Sequence, residues 1–208
     1  MSLGINEFPS TPVTPYETFR SKVKDGDVLI CSGTGIFSAM IQQATRSVWS
    51  HVGFVLRIAS IDRIMLLESL EPEGVRTVRL SKYLENYANN NKPYPGGLAI
   101  IRHKQFHTAV DKKGLGELAQ FAVDRFGYAY DKRQIAKIAA RILASRVPFT
   151  PRQRRKIAVT DEYICSEYAA RCYAAAGITI PWNRKGFIAP SDFAADPNFE
   201  LKAVLQRP

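Results

Sequence analysis

Read for the spacing of its apolar and polar positions, the chain interleaves strands and helices, with most of the strands before residue 104. Val28-Leu29-Ile30-Cys31 is a continuous apolar run after the turn Lys24-Asp25-Gly26-Asp27, which predicts a short buried strand. Trp49 to Leu56 is rich in strand formers, and Arg63 to Ser69 is a second such run. A few residues around Ser60 join them, so an antiparallel hairpin is expected. Gly74 to Leu80 alternates apolar and basic residues as a third strand, and Leu98 to Arg102 is a further one. Leu201 to Leu205 reads as a closing strand. Helical spacing marks Tyr16 to Val23, Ile36 to Ala44, Ser81 to Ala88, Leu115 to Phe126 and a short helix at Ala189 to Phe193.

The last long helical pattern includes Tyr168 to Ala176 and stops at Gly177, where a left-handed C-cap glycine belongs. Thr160 or Asp161 is the expected cap of its start, which puts Cys165 in the first turn. Backbone N–H groups and the helix dipole favour a thiolate there. Cysteine is equally at home as a small core side chain, so the first-turn position alone does not make a nucleophile.

The length of 208 residues suits one domain, with Met1 to Pro15 as an N-terminal arm. No apolar run is long enough to span a membrane, and the arm lacks the basic flank and apolar core of a signal peptide. The three cysteines, Cys31, Cys165 and Cys172, show no metal spacing. Cys165 and Cys172 would lie about 10 Å apart along one helix, too far for a disulfide. Reduced thiols and a cytoplasmic location are the expectation.

Charge adds one feature. The net charge is +10, which points to an anionic partner such as an anionic membrane or polymer. Nine basic residues fall between Lys132 and Lys156, a stretch with no aspartate or glutamate. Ile135, Ile138, Ala139, Ile142 and Leu143 give that stretch a helical stripe, ended by Pro148 and Pro151. No nucleic-acid motif accompanies the charge, so nucleic acid is not the expected partner.

A thiol nucleophile needs a base, and the base needs an orienting partner. His103, at a strand end, and His107, in a polar loop, read as surface histidines. His51 opens an apolar strand beside Ser50 and Gly53, small residues where backbone or substrate can come close. Glu68 interrupts the apolar run Ile64 to Leu67, and a carboxylate there calls for a partner. With the hairpin turn centred between Ala59 and Ser60, His51 stands directly opposite Glu68 on one face. A turn shifted by one full residue is expected to bring His51 opposite Ser69 and turn Glu68 away.

In chain order the motifs are Gly26-Asp27-Val28, Ser50-His51-Val52-Gly53, Glu68, Gly127-Tyr128-Ala129-Tyr130-Asp131, Tyr163-Ile164-Cys165-Ser166-Glu167 and Pro190-Ser191-Asp192. Together they resemble the permuted, YiiX-like branch of the NlpC-type cysteine peptidases, and so imply an α+β, circularly permuted papain-like fold with an antiparallel sheet or small barrel packed against helices. The resemblance runs from Asp25 to Phe193. It implies Cys165 as nucleophile, His51 as base and Glu68 as the residue orienting His51. It also implies a tyrosine near the oxyanion site. Tyr130 is the best match, with Tyr128 and Tyr163 as alternatives. The implied activity is peptidase or amidase chemistry through an acyl-thioester, on amides of cell-wall-type peptides. Related enzymes move acyl groups from lipids on the same triad. The implied partners are thus a peptide or lipid amide or ester substrate, with no metal or organic cofactor. A non-catalytic protein that holds an anionic membrane or polymer through the basic stretch is the remaining alternative. The stretch from about 132 to 156 departs from the family pattern as a long insertion.

Overall fold

The computed structural model of the chain describes residues 3–131, 162–181 and 187–208. The basic insertion and the helix expected in it lie outside the described residues. So do the caps expected at Thr160 and Asp161.

In chain order the elements are α1 (Tyr16–Phe19), β1 (Asp27–Gly33), α2 (Ile36–Thr45), β2 (His51–Ile58), β3 (Arg63–Leu70) and β4 (Gly74–Arg79). There follow α3 (Ser81–Glu85), β5 (Gly96–His103), α4 (Phe106–Ala109), α5 (Lys112–Val123), β6 (Ala129–Tyr130) and β7 (Glu162–Tyr163). The last are α6 (Cys165–Ala175), α7 (Pro190–Ala195) and β8 (Phe199–Gln206). Six strands form one antiparallel sheet in the order β4-β3-β2-β1-β5-β8, an open sheet with two edges rather than a barrel. β6 and β7 make a separate parallel pair, Tyr130 beside Tyr163.

β1 lies in the middle of the sheet and is buried along its whole length, which is why its sequence is a continuous apolar run rather than an alternating one. Its side chains feed two cores. Val28, Ile30, Val52, Phe54, Leu67 and Val75 face α5 and α6. Leu29, Cys31, Val55, Leu66, Leu98 and Ile100 face Phe19, Tyr83 and Tyr94 on the other side. The N-terminal arm is docked rather than loose: Trp49 Nε1 donates to the Gly4 carbonyl at 2.8 Å, and Phe8 packs on the Trp49 ring at 5.3 Å.

The hairpin β2–β3 has a register different from the expected one. Phe54 pairs with Leu67 and Ile58 with Arg63, so the turn is centred between Ser60 and Ile61, one residue further on. A 3₁₀ turn at Ala59–Ile61, closed by Asp62 at φ 48°, sets that length. His51 is therefore not directly opposite Glu68. The one-residue shift nevertheless leaves Glu68 on the face of His51, contrary to the expectation above. Moving the centre of a hairpin by a whole residue moves each cross-strand partner by two, and side-chain orientation repeats every two residues.

The β2–β3 ladder stops at Phe54–Leu67. Beyond it β2 stays paired to β1 through His51–Cys31, and β3 stays paired to β4 through Leu70–Gly74. Two strands held by opposite neighbours part at this end of the sheet. α6 packs on one face at that opening. Its C-terminus is a Schellman stop, with Gly177 at φ 79°, Gly177 N–H on the Ala174 carbonyl and Ile178 N–H on Tyr173. Its N-cap is Ile164, not Thr160 or Asp161, and makes no side-chain cap, so Cys165 is the first helical residue. Among the described residues no helix is long and apolar enough to cross a membrane.

Gly74 sits at φ 76°, and a Cβ there would overlap the Tyr128 carbonyl oxygen. The same carbonyl accepts from Val75 N–H at 2.8 Å, which ties β4 to the segment leading into Tyr130. Gly74→Ala is expected to lower stability by about 1–3 kcal/mol through backbone strain. Thermal unfolding followed by circular dichroism measures it, and an unchanged midpoint would contradict the tight approach.

Candidate active site

Three elements bring Cys165, His51 and Glu68 together where the strands part. Cys165 arrives from the α6 face, and His51 and Glu68 belong to the opposite face, beside Cys31 and Tyr83. The opening between β2 and β3 lets groups on the two faces meet. Ser69 Oγ donates to the Tyr163 carbonyl at 2.6 Å and fixes the approach to Cys165 against β3.

Glu68 has no exposed surface, and His51 is 6% exposed. Glu68 Oε2 lies 2.8 Å from His51 Nε2 and also accepts from the Tyr83 hydroxyl, which is 3.3 Å from the same ring nitrogen. Oε1 accepts from Arg76 Nε at 2.9 Å. Because Nε2 is engaged, Nδ1 is the ring atom left for the hydrogen bond that His51 makes with Cys165. Burial pushes the Cys165 thiol up. The His51 charge and hydrogen bond outweigh it, helped by the Val52 and Ser166 backbone N–H groups, and the thiol lies below its ordinary value. Burial pulls His51 down, but Cys165 and Glu68 overcome it and hold the imidazole above its ordinary value. Burial raises Glu68, and His51, Arg76 and Tyr83 bring it below the usual carboxylate range. The favoured state is a thiolate–imidazolium pair backed by a carboxylate.

The other two thiols behave differently. Burial pushes Cys31 well up, with Glu68 and Cys165 adding to it, and burial also raises Cys172. All three cysteines are free. His103 is a correction: it is 2% exposed, set between Tyr173 and Phe199, so it is a core histidine rather than a surface one. His107 is exposed as expected. Gly53 is filled by the Leu66 side chain and not left for substrate, whereas Ser50 does line the cavity.

A cavity of about 290 Å³ opens over the thiol, walled by Thr34, Gly35 and the first turn of α2, with Ser50, His51, Tyr87, Tyr94 and Tyr130. Of the three tyrosines weighed for the oxyanion position, Tyr130 alone lines this cavity with Cys165. Burial and the nearby thiolate push its phenol upward, so it stays protonated. The Tyr163 hydroxyl instead accepts from Arg125 Nε at 3.1 Å, and Tyr128 stacks on Tyr163. A second, narrow lobe meets the first at Tyr130 and Cys165 and runs between α2 and Phe187–Pro190.

Sequence reasoning missed Arg76, Tyr83 and Ser69. Arg76 was within reach, since it is a basic residue on an alternating strand and pairs across the sheet with Glu68. Tyr83 carried no signal, because nothing in its short helix marks which way a tyrosine turns.

No family model and no curated protein sequence matches the chain. Among solved structures it is similar to the metalloprotein YiiX from Escherichia coli O157:H7, at 17% identity and a TM-score of 0.60. The match covers 89% of this chain and 98% of that one. The chain thus has a YiiX-like α+β fold, an antiparallel six-stranded sheet with helices.

At about pH 6, below the free thiol range, a limited dose of iodoacetamide is expected to label Cys165 before Cys31 and Cys172. His51→Ala is expected to slow that labelling at least about tenfold, and His107→Ala to leave it unchanged. Peptide mapping by mass spectrometry follows all three thiols together. Earlier labelling of Cys31 or Cys172 in the folded protein would rule out an activated Cys165.

Proposed function

We propose that the protein is a cysteine hydrolase of the permuted papain, NlpC-like type, acting on amides through an acyl-thioester. The observation that carries this reading is the buried series Glu68, His51, Cys165, with the thiol at the first position of a helix. A merely structural role gives no reason to bury a carboxylate, an imidazole and a thiolate in line beside an open cavity, since desolvating such charges costs several kcal/mol each.

In this reading the Cys165 thiolate attacks the substrate carbonyl carbon. The tetrahedral oxyanion is met by the Cys165 backbone N–H and the Tyr130 hydroxyl. His51 gives its Nδ1 proton to the leaving nitrogen as the C–N bond breaks. It then takes a proton from water, which attacks the thioester and releases the acid and free thiol. Glu68 keeps the imidazole oriented and does not take the proton.

Amides of cell-wall-type peptides are the proposed substrates. A second reading, ester or acyl-transfer chemistry on lipids, is favoured by one feature: the narrow lobe beside Cys165 is walled by Ile41, Ala44, Ile164 and Phe187, and the nearby Ile36 is 86% exposed. YiiX is described as a metalloprotein. Among the described residues no group of three or more His, Cys, Asp or Glu side chains could hold a metal ion. Both Glu68 oxygens are already engaged. No step is therefore assigned to a metal.

A panel of cell-wall peptides and phospholipid esters, with wild type and Cys165→Ala, tests the reading. Wild type is expected to turn over one class, with loss of at least about a thousandfold in Cys165→Ala. Acid quenching is expected to trap an acyl adduct on Cys165, seen by intact mass. Turnover that survives Cys165→Ala, or a panel giving neither turnover nor adduct, would overturn it.

A further inference from the structure

We propose that Arg76 and Tyr83 are positioning residues for this site: each claims a Glu68 oxygen, so the carboxylate has one orientation in which to hold His51 by Nε2. The proposal rests on the cysteine-hydrolase reading and extends it by two residues that never touch the thiol.

The geometry begins with register. Arg76 is the cross-strand partner of Glu68, so its side chain rises on the same face. Its Nε meets Oε1 at 2.9 Å while Nη1 meets Glu73 at 3.0 Å. One guanidinium fork thus spans two carboxylates, which a lysine point charge cannot do with the same directionality. Tyr83 comes from α3 and donates to Oε2, the oxygen that faces His51. Its ring lies nearly parallel to the imidazole, with 6.3 Å between centroids and 8° between planes. Tyr83 is itself fixed, 1% exposed, wedged against Tyr87 and Tyr94, with its backbone carbonyl accepting from Tyr94 N–H.

The consequence is chemical. Arg76, Glu68, His51 and Cys165 alternate in charge, so each ion is flanked by opposite sign. Were Glu68 to rotate or take a proton, His51 Nε2 would lose its acceptor. A neutral imidazole could then carry its proton on Nδ1 and point a donor, not a base, at the thiol. Burial alone raises the Glu68 carboxyl, and His51, Arg76 and Tyr83 together reverse it. Removing Arg76 or the Tyr83 hydroxyl takes away part of that reversal. Glu68 would then protonate at a higher pH, and the acid limb of Cys165 reactivity would move upward.

The other titratable groups facing Glu68 do not titrate in that range. Cys31 from β1, Tyr83 from α3 and Tyr87 from the turn after it are all pushed upward by burial first. They are neutral on the acid side. Arg76 from β4 is held above its ordinary value by Glu68 against the opposing effect of burial.

The experiment measures the rate of iodoacetamide alkylation at Cys165 against pH, from about 4 to 9, in the full chain. The variants are Arg76→Gln, Arg76→Lys, Tyr83→Phe and, as a control on the same strand, the exposed Arg79→Gln. Arg76→Gln is expected to move the acid limb up by about one pH unit, some tenfold slower alkylation on that limb. Arg76→Lys is expected to restore part of the shift, because charge returns without the fork. Tyr83→Phe is expected to move the limb the same way by a smaller amount, and Arg79→Gln to overlay wild type. If Arg76→Gln does not fold, by circular dichroism, Arg76→Lys and Tyr83→Phe decide. Superimposable profiles for the folded Arg76 and Tyr83 variants and a reactive wild type would overturn the proposal alone. A wild-type Cys165 no faster than Cys172 across the range would overturn the site and the proposal with it.

Discussion

The structure turns on a carboxylate with no access to water. Glu68 sits fully buried on β3, just past the end of the β2–β3 ladder, where an unpaired ion would be too costly to keep. Three groups from three elements converge to offset that cost: His51 from β2, Arg76 from β4 and Tyr83 from α3. Such a cluster is unforgiving, since removing one partner leaves a charge partly uncompensated in a low dielectric. The same cost makes it specific. A one-residue slip of β3 would bury Ser69 toward His51 and point Glu68 into the apolar core under α6. Glu68 therefore helps to set the register that in turn positions it.

The second requirement is topological. A sheet normally keeps its two faces apart, yet the thiol approaches from one and the imidazole belongs to the other. They meet because β2 and β3 are each held by an outer neighbour past the point where their own ladder stops. Val52 N–H at that opening bonds the Cys165 sulfur. A backbone donor that would otherwise need a strand partner is satisfied by a thiolate. The site thus uses the end of the hairpin as its floor, and α6 needs no side-chain cap at Ile164 to leave donors beside the sulfur.

Much of this was legible in the chain. The alternating and continuous apolar runs located the sheet strands closely, because burial on one face or two writes itself into side-chain chemistry. Glu68 announced itself by interrupting Ile64 to Leu67, and Gly177 by its place after a helical stripe. The hairpin register was not legible. The left-handed Asp62 and the 3₁₀ turn before it lengthen the connection in a way no turn dipeptide signals. The error did no harm to the pairing of His51 with Glu68, because it moved partners by two. His103 was misread for a related reason: a strand end looks exposed in sequence, but β8 and the Tyr173 ring cover this one. Tyr83 was invisible because its contact with Glu68 depends on where α3 lies over the sheet.

Charge is spread unevenly along the sequence. The basic stretch 132–156 holds nine of the 29 lysines and arginines and none of the 19 acidic residues, so the rest of the chain is close to neutral. The excess positive charge is thus a property of one segment of the sequence. Within the site the charges alternate and nearly cancel, and the cavity wall combines hydroxyls and rings, Ser38, Ser50, Tyr87, Tyr94 and Tyr130, with the aliphatic Ile36, Ile41 and Leu70 and the acidic Glu71. A wall of that kind offers a ligand shape, hydroxyl partners and one acidic residue. In the proposed hydrolase reading, an anionic partner held by the basic stretch would raise the local concentration of substrate. In that reading the choice of bond falls to the groups that meet at the sulfur: Tyr130, His51 and the two lobes of the cavity.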